Sequence, residues 1–88
     1  MKVDFKRSFD RDLKRIKSVP IKNQVKKIIE SVEEAQHLQE IKNIKKLGSG
    51  NRYYRIRIGD YRVGLSLEND IMTFVRFLHR KELYRYFP

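Results

Sequence analysis

Arginines, tyrosines and one histidine in the second half of the chain could act on a phosphodiester, among them Arg55, Arg57, Arg62, Arg80 and His79. A guanidinium group binds phosphate through two parallel N–H donors and stabilises negative charge that develops in a transition state. An aromatic ring stacks on an unpaired nucleobase. RNA is favoured over DNA as a cleavable substrate, because the 2′-OH of RNA is itself a nucleophile. These residue types therefore indicate a site for RNA.

Proton transfer is the step that this set of residues does not explain. An arginine has a pKa above about 12 and is a poor base at pH 7. His79 lies in the basic C-terminal segment and is a candidate for contact with the substrate. RNA binding without cleavage therefore stays open. So does a purely structural role, in which the arginines pair with Asp60, Glu68 or a partner's carboxylates.

The charge of the chain agrees with a polyanionic partner. There are 21 lysines and arginines against 11 acidic residues, which gives a formal net charge of +10. Residues 1–50 hold ten of the eleven lysines, whereas residues 51–88 hold seven of the ten arginines. Arginine grips phosphate with a planar fork, and lysine mainly confers solubility. The second half is therefore the expected phosphate-binding half.

Several classes of site are excluded or unsupported by the sequence. The chain has no cysteine, which excludes disulfides, thiol catalysis and cysteine-based metal sites. It contains no Walker-type loop, no GxGxxG and no HExxH, and His37 and His79 are too far apart in sequence to suggest zinc. We expect no metal, no cofactor and no membrane segment. A cytoplasmic location fits this composition best.

The first half of the chain predicts a strand and two helices. "KVDF" is expected to form an edge strand, Ser8 to cap the first helix, and Pro20 to exclude Val19 from the second helix, which it opens. The apolar stripes of these helices are Phe9, Leu13 and Ile16, then Val25, Ile28, Ile29 and Val32. A DNA-binding helix-turn-helix is an alternative, but a sheet rather than a third helix follows the pair.

The second half predicts three antiparallel strands after a polar connector that contains Ile41, Ile44 and Leu47. The period of two puts Tyr54, Ile56 and Ile58 on one face of the sheet and Arg55 and Arg57 on the other. Arg62 follows the Gly59–Asp60 turn on the same face as these two arginines. The last run, "IMTFVRFLHR", places Arg76 and Arg80 on one side of a strand. The prediction is a single α+β domain over residues 1–88, ordered β-α-α-β-β-β, with both helices on one face of the sheet.

"FKRSFDRDLKRI", "IKKLGSGNRYYRIRIGDYRV" and "HRKELYRYF" resemble, in this order, segments of the RelE/ParE superfamily of bacterial and archaeal toxins, most closely its RelE branch. The resemblance covers essentially the whole chain. It implies a type II toxin that enters the ribosomal A site, cleaves mRNA there by metal-independent 2′-OH attack, and so inhibits translation. It also implies an acidic, RelB-like antitoxin that inactivates the toxin, with operator DNA as a further partner of the complex.

The resemblance also implies roles for individual residues. Arg55 and Arg57 stand where RelE toxins have two strand lysines that assist the base and bind phosphate. Arg62 matches an arginine that stabilises the scissile phosphate. Arg80 matches one that stabilises the transition state or acts as general acid for the 5′-oxygen. Tyr86 matches the tyrosine that stacks on the base and orients the 2′-OH, with Tyr84 as the alternative. The exchange of lysine for arginine at positions 55 and 57 weakens a general-base role there, and leaves His79 or a ribosomal group to accept the proton.

Two other functions compete with this interpretation. A ParE-like toxin would have the same fold but would poison DNA gyrase and cleave nothing itself. An inert relative would bind only its antitoxin. Arg62, Arg80 and Tyr86 together favour the nuclease, because ParE toxins generally lack this combination.

Overall fold

The computed structural model describes all 88 residues as one five-stranded sheet with three α-helices. The order along the chain is β1 (Lys2–Phe5), α1 (Arg7–Lys14), α2 (Val19–Glu34), β2 (Ile44–Leu47), β3 (Tyr53–Ile58), β4 (Tyr61–Glu68), β5 (Ile71–His79) and α3 (Arg80–Tyr86). A short 3-10 turn, Leu38–Glu40, precedes β2. The predicted α+β class is confirmed. None of the three helices combines the length and the apolar run that a membrane crossing requires.

The sheet has the spatial order β1-β5-β4-β3-β2. Strands β2 to β5 form an antiparallel meander, and β1 joins β5 in parallel. The expectation that "KVDF" forms an edge strand is confirmed. Both edge strands are only four residues long, which limits the backbone that they expose to unwanted strand pairing.

Helices α1 and α2 contribute to one hydrophobic core with the sheet. The predicted stripes supply its fully buried helical residues, Phe9 from α1 and Val25 and Val32 from α2. The strands contribute Ile56, Ile58, Val63, Leu65, Met72, Phe74 and Phe77. Burying each large apolar side chain contributes about 1.5–3 kcal/mol. The core therefore fixes which face of β3 and β4 is left for the arginines.

Helix α3 covers part of the opposite face of the sheet. A Cβ atom added to Gly64 would lie 2.8 Å from Cδ2 of Phe87, at the C-terminal end of α3. Val63 and Leu65 on either side of Gly64 are buried in the main core, so Gly64 faces away from it. Leu83 of α3 is also fully buried. The expectation that both predicted helices lie on one face is therefore confirmed, and α3, which was not predicted, covers the other face.

Two elements differ from the prediction. The connector residues 44–47 form β2, because the backbone of β3 offers them a pairing partner that no local pattern reveals. The predicted last strand ends at His79, and Arg80 begins α3 instead of sharing a strand with Arg76. The His79 side chain caps this helix by accepting a hydrogen bond from the N–H of Lys81 at 3.2 Å.

The helix starts differ from the prediction as well. Lys6, not Ser8, precedes α1, and the Ser8 hydroxyl donates to the carbonyl of Val75 at 2.5 Å. Helix α2 begins at Val19, with Ser18 as its cap. Pro20 is therefore tolerated in the first turn, where a missing N–H has no helical partner to lose.

Candidate functional site

Arg55, Arg57 and Arg62 lie together on the sheet face that points away from the main core. Their neighbours along the strands, such as Ile56 and Val63, are completely buried. Because side chains alternate along a strand, the arginines point to the other side. Arg57 is exposed, whereas Arg55 and Arg62 are partly buried. The predicted alternation is thus confirmed.

Cross-strand pairing brings like charges face to face on this surface. Arg57 of β3 is directly opposite Arg62 of β4, and Arg55 is directly opposite Lys45 of β2. Cβ atoms of directly opposed residues are about 4.5–5.5 Å apart, and like charges at that distance are destabilising. Lys45 was missed from the sequence, because β2 was not predicted. The sheet therefore concentrates positive charge at a cost in folding free energy.

The guanidinium of Arg62 is the most perturbed of this group. Its Nη1 donates to the carbonyl oxygens of Gly59 at 2.8 Å and Tyr61 at 2.9 Å. Burial lowers the pKa of Arg62 below its ordinary value, and the positive charges of Arg55 and Arg57 lower it further. Arg80 acts in the same direction to a smaller extent. The other three guanidinium groups thus each act on Arg62, and Arg55, Arg57, Arg62 and Arg80 are called the arginine cluster below.

Helix α3 brings Arg80 and Tyr84 to the cluster. The N–H of Arg80 donates to the carbonyl of Asp60 at 2.8 Å, which ties the start of α3 to the β3–β4 turn. Residues four apart share a helix face, so Tyr84 lies on the same side as Arg80. Tyr84 also acts electrostatically on Arg62, and its ring is 64% exposed. It is therefore a free aromatic surface beside the arginines.

No carboxylate within the chain neutralises the arginine cluster. The two ion pairs of the structure are Arg52–Glu68 at 2.6 Å and Arg76–Asp12 at 2.7 Å. Asp60 forms no ion pair, and Glu68 pairs with an arginine outside the cluster. In addition, Nε of Arg55 is buried without a hydrogen-bond acceptor. An anionic group placed on this surface would meet donors that have no partner in the free chain.

An apolar groove adjoins the cluster on the side of Tyr84. It has a volume of about 480 Å³ and runs between the Gly48–Gly50 loop and the end of α3. Tyr53, Tyr84 and Phe87 supply its aromatic lining. A flat ring could enter it while the arginine cluster holds an adjacent phosphate.

The remaining candidates lie outside this arrangement. The ring of Tyr86 faces the guanidinium of Arg76, whose Cζ lies 5.7 Å from the ring centroid. His79 is paired with Tyr61, and their rings meet edge to face at 5.8 Å. Because Tyr61 packs against the main core, His79 points away from the arginine cluster. The spacing of residues 80 and 84 was the signal that could have selected Tyr84 over Tyr86.

Comparisons with known proteins identify the family and agree with the fold. Residues 3–84 match the sequence model of the ParE toxin of type II toxin–antitoxin systems. Toxin RelE3 of Methanocaldococcus jannaschii is 43% identical over 89 residues, with 100% of both chains covered.

Two solved structures of toxin–antitoxin complexes share the architecture. The RelB–RelE complex of Methanococcus jannaschii matches with a TM-score of 0.80 and 40% identity, over 97% of this chain and 99% of that one. The archaeal RelE–RelB complex of Pyrococcus horikoshii matches with a TM-score of 0.74 and 19% identity, over 90% and 93% of the two chains, which shows the fold alone. The chain belongs to the RelE/ParE superfamily and is a type II toxin of its RelE branch.

Proposed function

We propose that this toxin is a ribosome-dependent endoribonuclease that cleaves mRNA in the ribosomal A site and thereby stops translation. The observation that carries the proposal is the convergence of four arginines and an exposed tyrosine on one face without any acidic partner. A stabilising role alone does not account for such a face, because its like-charged pairs oppose folding. RNA supplies both the missing anion and a base that can stack.

The reaction follows from the chemistry of these groups. The 2′-oxygen, having lost its proton, attacks phosphorus while the bond to the 5′-oxygen breaks. The departing 5′-oxygen takes a proton from water, which gives a 2′,3′-cyclic phosphate and a 5′-OH end. Arg62 and Arg80 stabilise the extra negative charge of the transition state. Arg55 and Arg57 hold the flanking backbone, and Tyr84 stacks on the neighbouring base, whereas Tyr86 was the first expectation from the sequence.

The proton-transfer step is the reason why cleavage by this toxin would require the ribosome. Each guanidinium is a poor base at neutral pH. His79 remains a prediction for this step, although its ring faces Tyr61 on the other side of the sheet. We therefore assign removal of the 2′-OH proton to a group outside the cluster, supplied by the ribosome. The toxin alone would then bind RNA and cleave it slowly or not at all.

A RelB-like antitoxin is the second partner that we propose. The similar RelE proteins of the two archaea were solved as complexes with RelB. Acidic side chains of such a partner would neutralise the arginine cluster and mask it from RNA. Operator DNA as a ligand of the toxin–antitoxin complex remains a prediction.

Primer extension on an mRNA translated in a purified system tests the nuclease. We expect cuts only when ribosomes are present, and their loss in the Arg80→Ala variant. Arg11→Ala is the matched control, because Arg11 is an exposed arginine of α1, outside the cluster. Cuts without ribosomes, or none with them, would contradict the proposal; the second result would favour an inert, antitoxin-binding relative.

A gyrase poison is the second candidate function. It is favoured by one observation, the match of residues 3–84 to the ParE toxin family. Inhibition of DNA supercoiling by purified gyrase, without any mRNA cleavage, would support it. Unchanged supercoiling at the concentration that arrests translation would reject it.

A further inference from the structure

Arg76 of β5 joins helix α1 to helix α3. On one side its Nε lies 2.7 Å from Oδ2 of Asp12, and its Nη2 lies 3.1 Å from Oδ1 of the same carboxylate. On the other side its guanidinium faces the ring of Tyr86 at 5.7 Å. A fork-to-fork pair with a carboxylate has a defined geometry, and a cation over an aromatic ring is attracted to its face. Arg76 therefore bridges the two helices.

The chain positions Arg76 by a bulge in β5. Gly64 is paired with Arg76 and Leu65 with Phe74, so Val75 is left over between them. A bulge bends the strand and changes the direction of its side chains. Both backbone groups that flank Arg76 are held by α1, since Ser8 donates to the Val75 carbonyl and the Phe77 N–H donates to Asp12 at 3.0 Å.

Asp12 is the buried acceptor of this contact. It is 4% exposed and accepts three hydrogen bonds, two from the Arg76 side chain and one from the backbone. The hydrogen bond that Arg76 donates to Asp12, opposed in part by burial, raises the pKa of Arg76. The buried carboxylate partner thus favours the charged form of Arg76.

Helix α3 presents different residues to Arg76 and to the arginine cluster. Glu82 and Tyr86 are four residues apart and act electrostatically on Arg76. Arg80 and Tyr84 are also four apart and act on Arg62. Positions 80 and 82 differ by about 200° around a helix, so the two pairs lie on opposite sides. Holding one side of α3 therefore sets where the other side points.

We propose that Asp12 and Arg76 are positioning residues that orient α3, through Tyr86, so that Arg80 and Tyr84 face Arg62. The inference rests on the proposed nuclease function for its catalytic consequence. Helix α3 has only seven residues and cannot maintain a fixed orientation by its own stability. Leu83 and Phe87 anchor its apolar side, and the Arg76 contact fixes its rotation about that anchor.

Backbone hydrogen exchange of the full chain tests positioning without any substrate. We expect Arg76→Gln to raise exchange about tenfold at the amides of residues 83–87 and to leave those of β3 and β4 unchanged. Tyr86→Ala should have the same effect, and Tyr86→Phe should retain protection because it keeps the ring. The matched control is Arg85→Ala, an exposed arginine of the same helix.

Cleavage kinetics on programmed ribosomes test whether the orientation of α3 affects catalysis. Arg76→Gln should lower kcat about tenfold and change KM less than twofold, because misplacement of catalytic groups affects the transition state more than binding. Arg76→Lys should recover part of kcat through its retained charge. Arg80→Ala should lower kcat without raising amide exchange in α3. The double variant Arg80→Ala/Arg76→Gln should have a kcat only slightly below that of Arg80→Ala.

Three results would overturn the inference. The first is unchanged hydrogen exchange in α3 for both Arg76→Gln and Tyr86→Ala. The second is loss of cleavage by Arg76→Gln while the amides of α3 stay fully protected. The third is a rise of KM, in place of a fall of kcat, in Arg76→Gln. If Arg76→Gln does not fold, hydrogen exchange of the Tyr86→Ala variant still tests the inference, because Tyr86 is exposed. Absence of cleavage by the wild-type toxin would reject the nuclease proposal instead, and exchange would still decide whether Arg76 orients α3.

Discussion

Arg62 and Arg76 lie on adjacent strands, and each contacts helix α3 electrostatically, yet their surroundings differ in almost every respect. Arg76 is held by a buried carboxylate, and its pKa is raised mainly by the hydrogen bond that it donates to Asp12. Arg62 has only carbonyl acceptors, and its pKa is lowered by burial and by neighbouring arginines. The same side chain thus stabilises the fold in one place and carries uncompensated charge in the other.

The contrast shows how a small domain separates structure from function. A carboxylate next to Arg62 would relieve repulsion, but it would also occupy the donors that a phosphate needs. Asp12 provides that compensation where no ligand is expected. We therefore expect substitutions on the Arg62 side to affect activity directly. Those on the Arg76 side should affect stability and helix orientation, and activity only indirectly and to a smaller extent.

The largest expected effect is on catalysis, at Arg62. Arg62→Ala should lower the rate of mRNA cleavage about 100- to 1,000-fold, as removal of a transition-state donor does, and change the free energy of unfolding by less than about 0.5 kcal/mol. Single-turnover cleavage and urea denaturation measure the two quantities. A destabilised protein would show that Arg62 is structural, and the contrast with Arg76 would disappear.

The next effect is on stability, at Asp12. Asp12→Asn should lower the free energy of unfolding by about 2–3 kcal/mol, because Arg76 loses its buried counter-charge. Thermal denaturation should report a decrease of roughly 10–20 °C for a domain of this size. Asp10→Asn is the matched control, since Asp10 is an exposed carboxylate of the same helix. Equal melting temperatures for the two variants would contradict the structural role of the pair.

A smaller effect is expected where α3 meets the sheet. Gly64→Ala places a methyl group 2.8 Å from the Phe87 ring and should cost about 1–3 kcal/mol through overpacking. Gly50→Ala is the control, because a Cβ at that position meets no atom within 4 Å. Chemical denaturation of both variants measures the difference. If they are equally stable, α3 does not pack on Gly64 as described.

The smallest effect is expected at Arg57, where stability and binding should change in opposite directions. Arg57→Gln removes a like charge opposite Arg62 and should raise the free energy of unfolding by about 0.2–1 kcal/mol. It should also reduce the slope of log K against log[salt] for single-stranded RNA by about 0.7. Denaturation and filter binding at several salt concentrations test both. A variant with an unchanged slope would show that Arg57 does not bind phosphate.

The sequence determined the class of the protein, the two apolar helical stripes, the β3–β4 hairpin and the face that carries Arg55, Arg57 and Arg62. These features follow from the spacing of apolar residues, which has a period of two in strands and 3.6 in helices and is visible in short stretches of sequence. The net positive charge and the superfamily resemblance could also be obtained from the sequence alone. Each depends on residues that are neighbours along the chain.

Only the tertiary structure decided how distant residues meet. It placed Tyr84 rather than Tyr86 beside the arginine cluster and turned His79 toward Tyr61. It also brought Lys45 opposite Arg55 and paired Asp12 with Arg76 across 64 positions. No local pattern predicts these contacts, because a four-residue edge strand and a seven-residue helix are set by the surfaces that receive them. The rotation of α3 on the sheet is therefore a property of packing, and it determines which side chains the site contains.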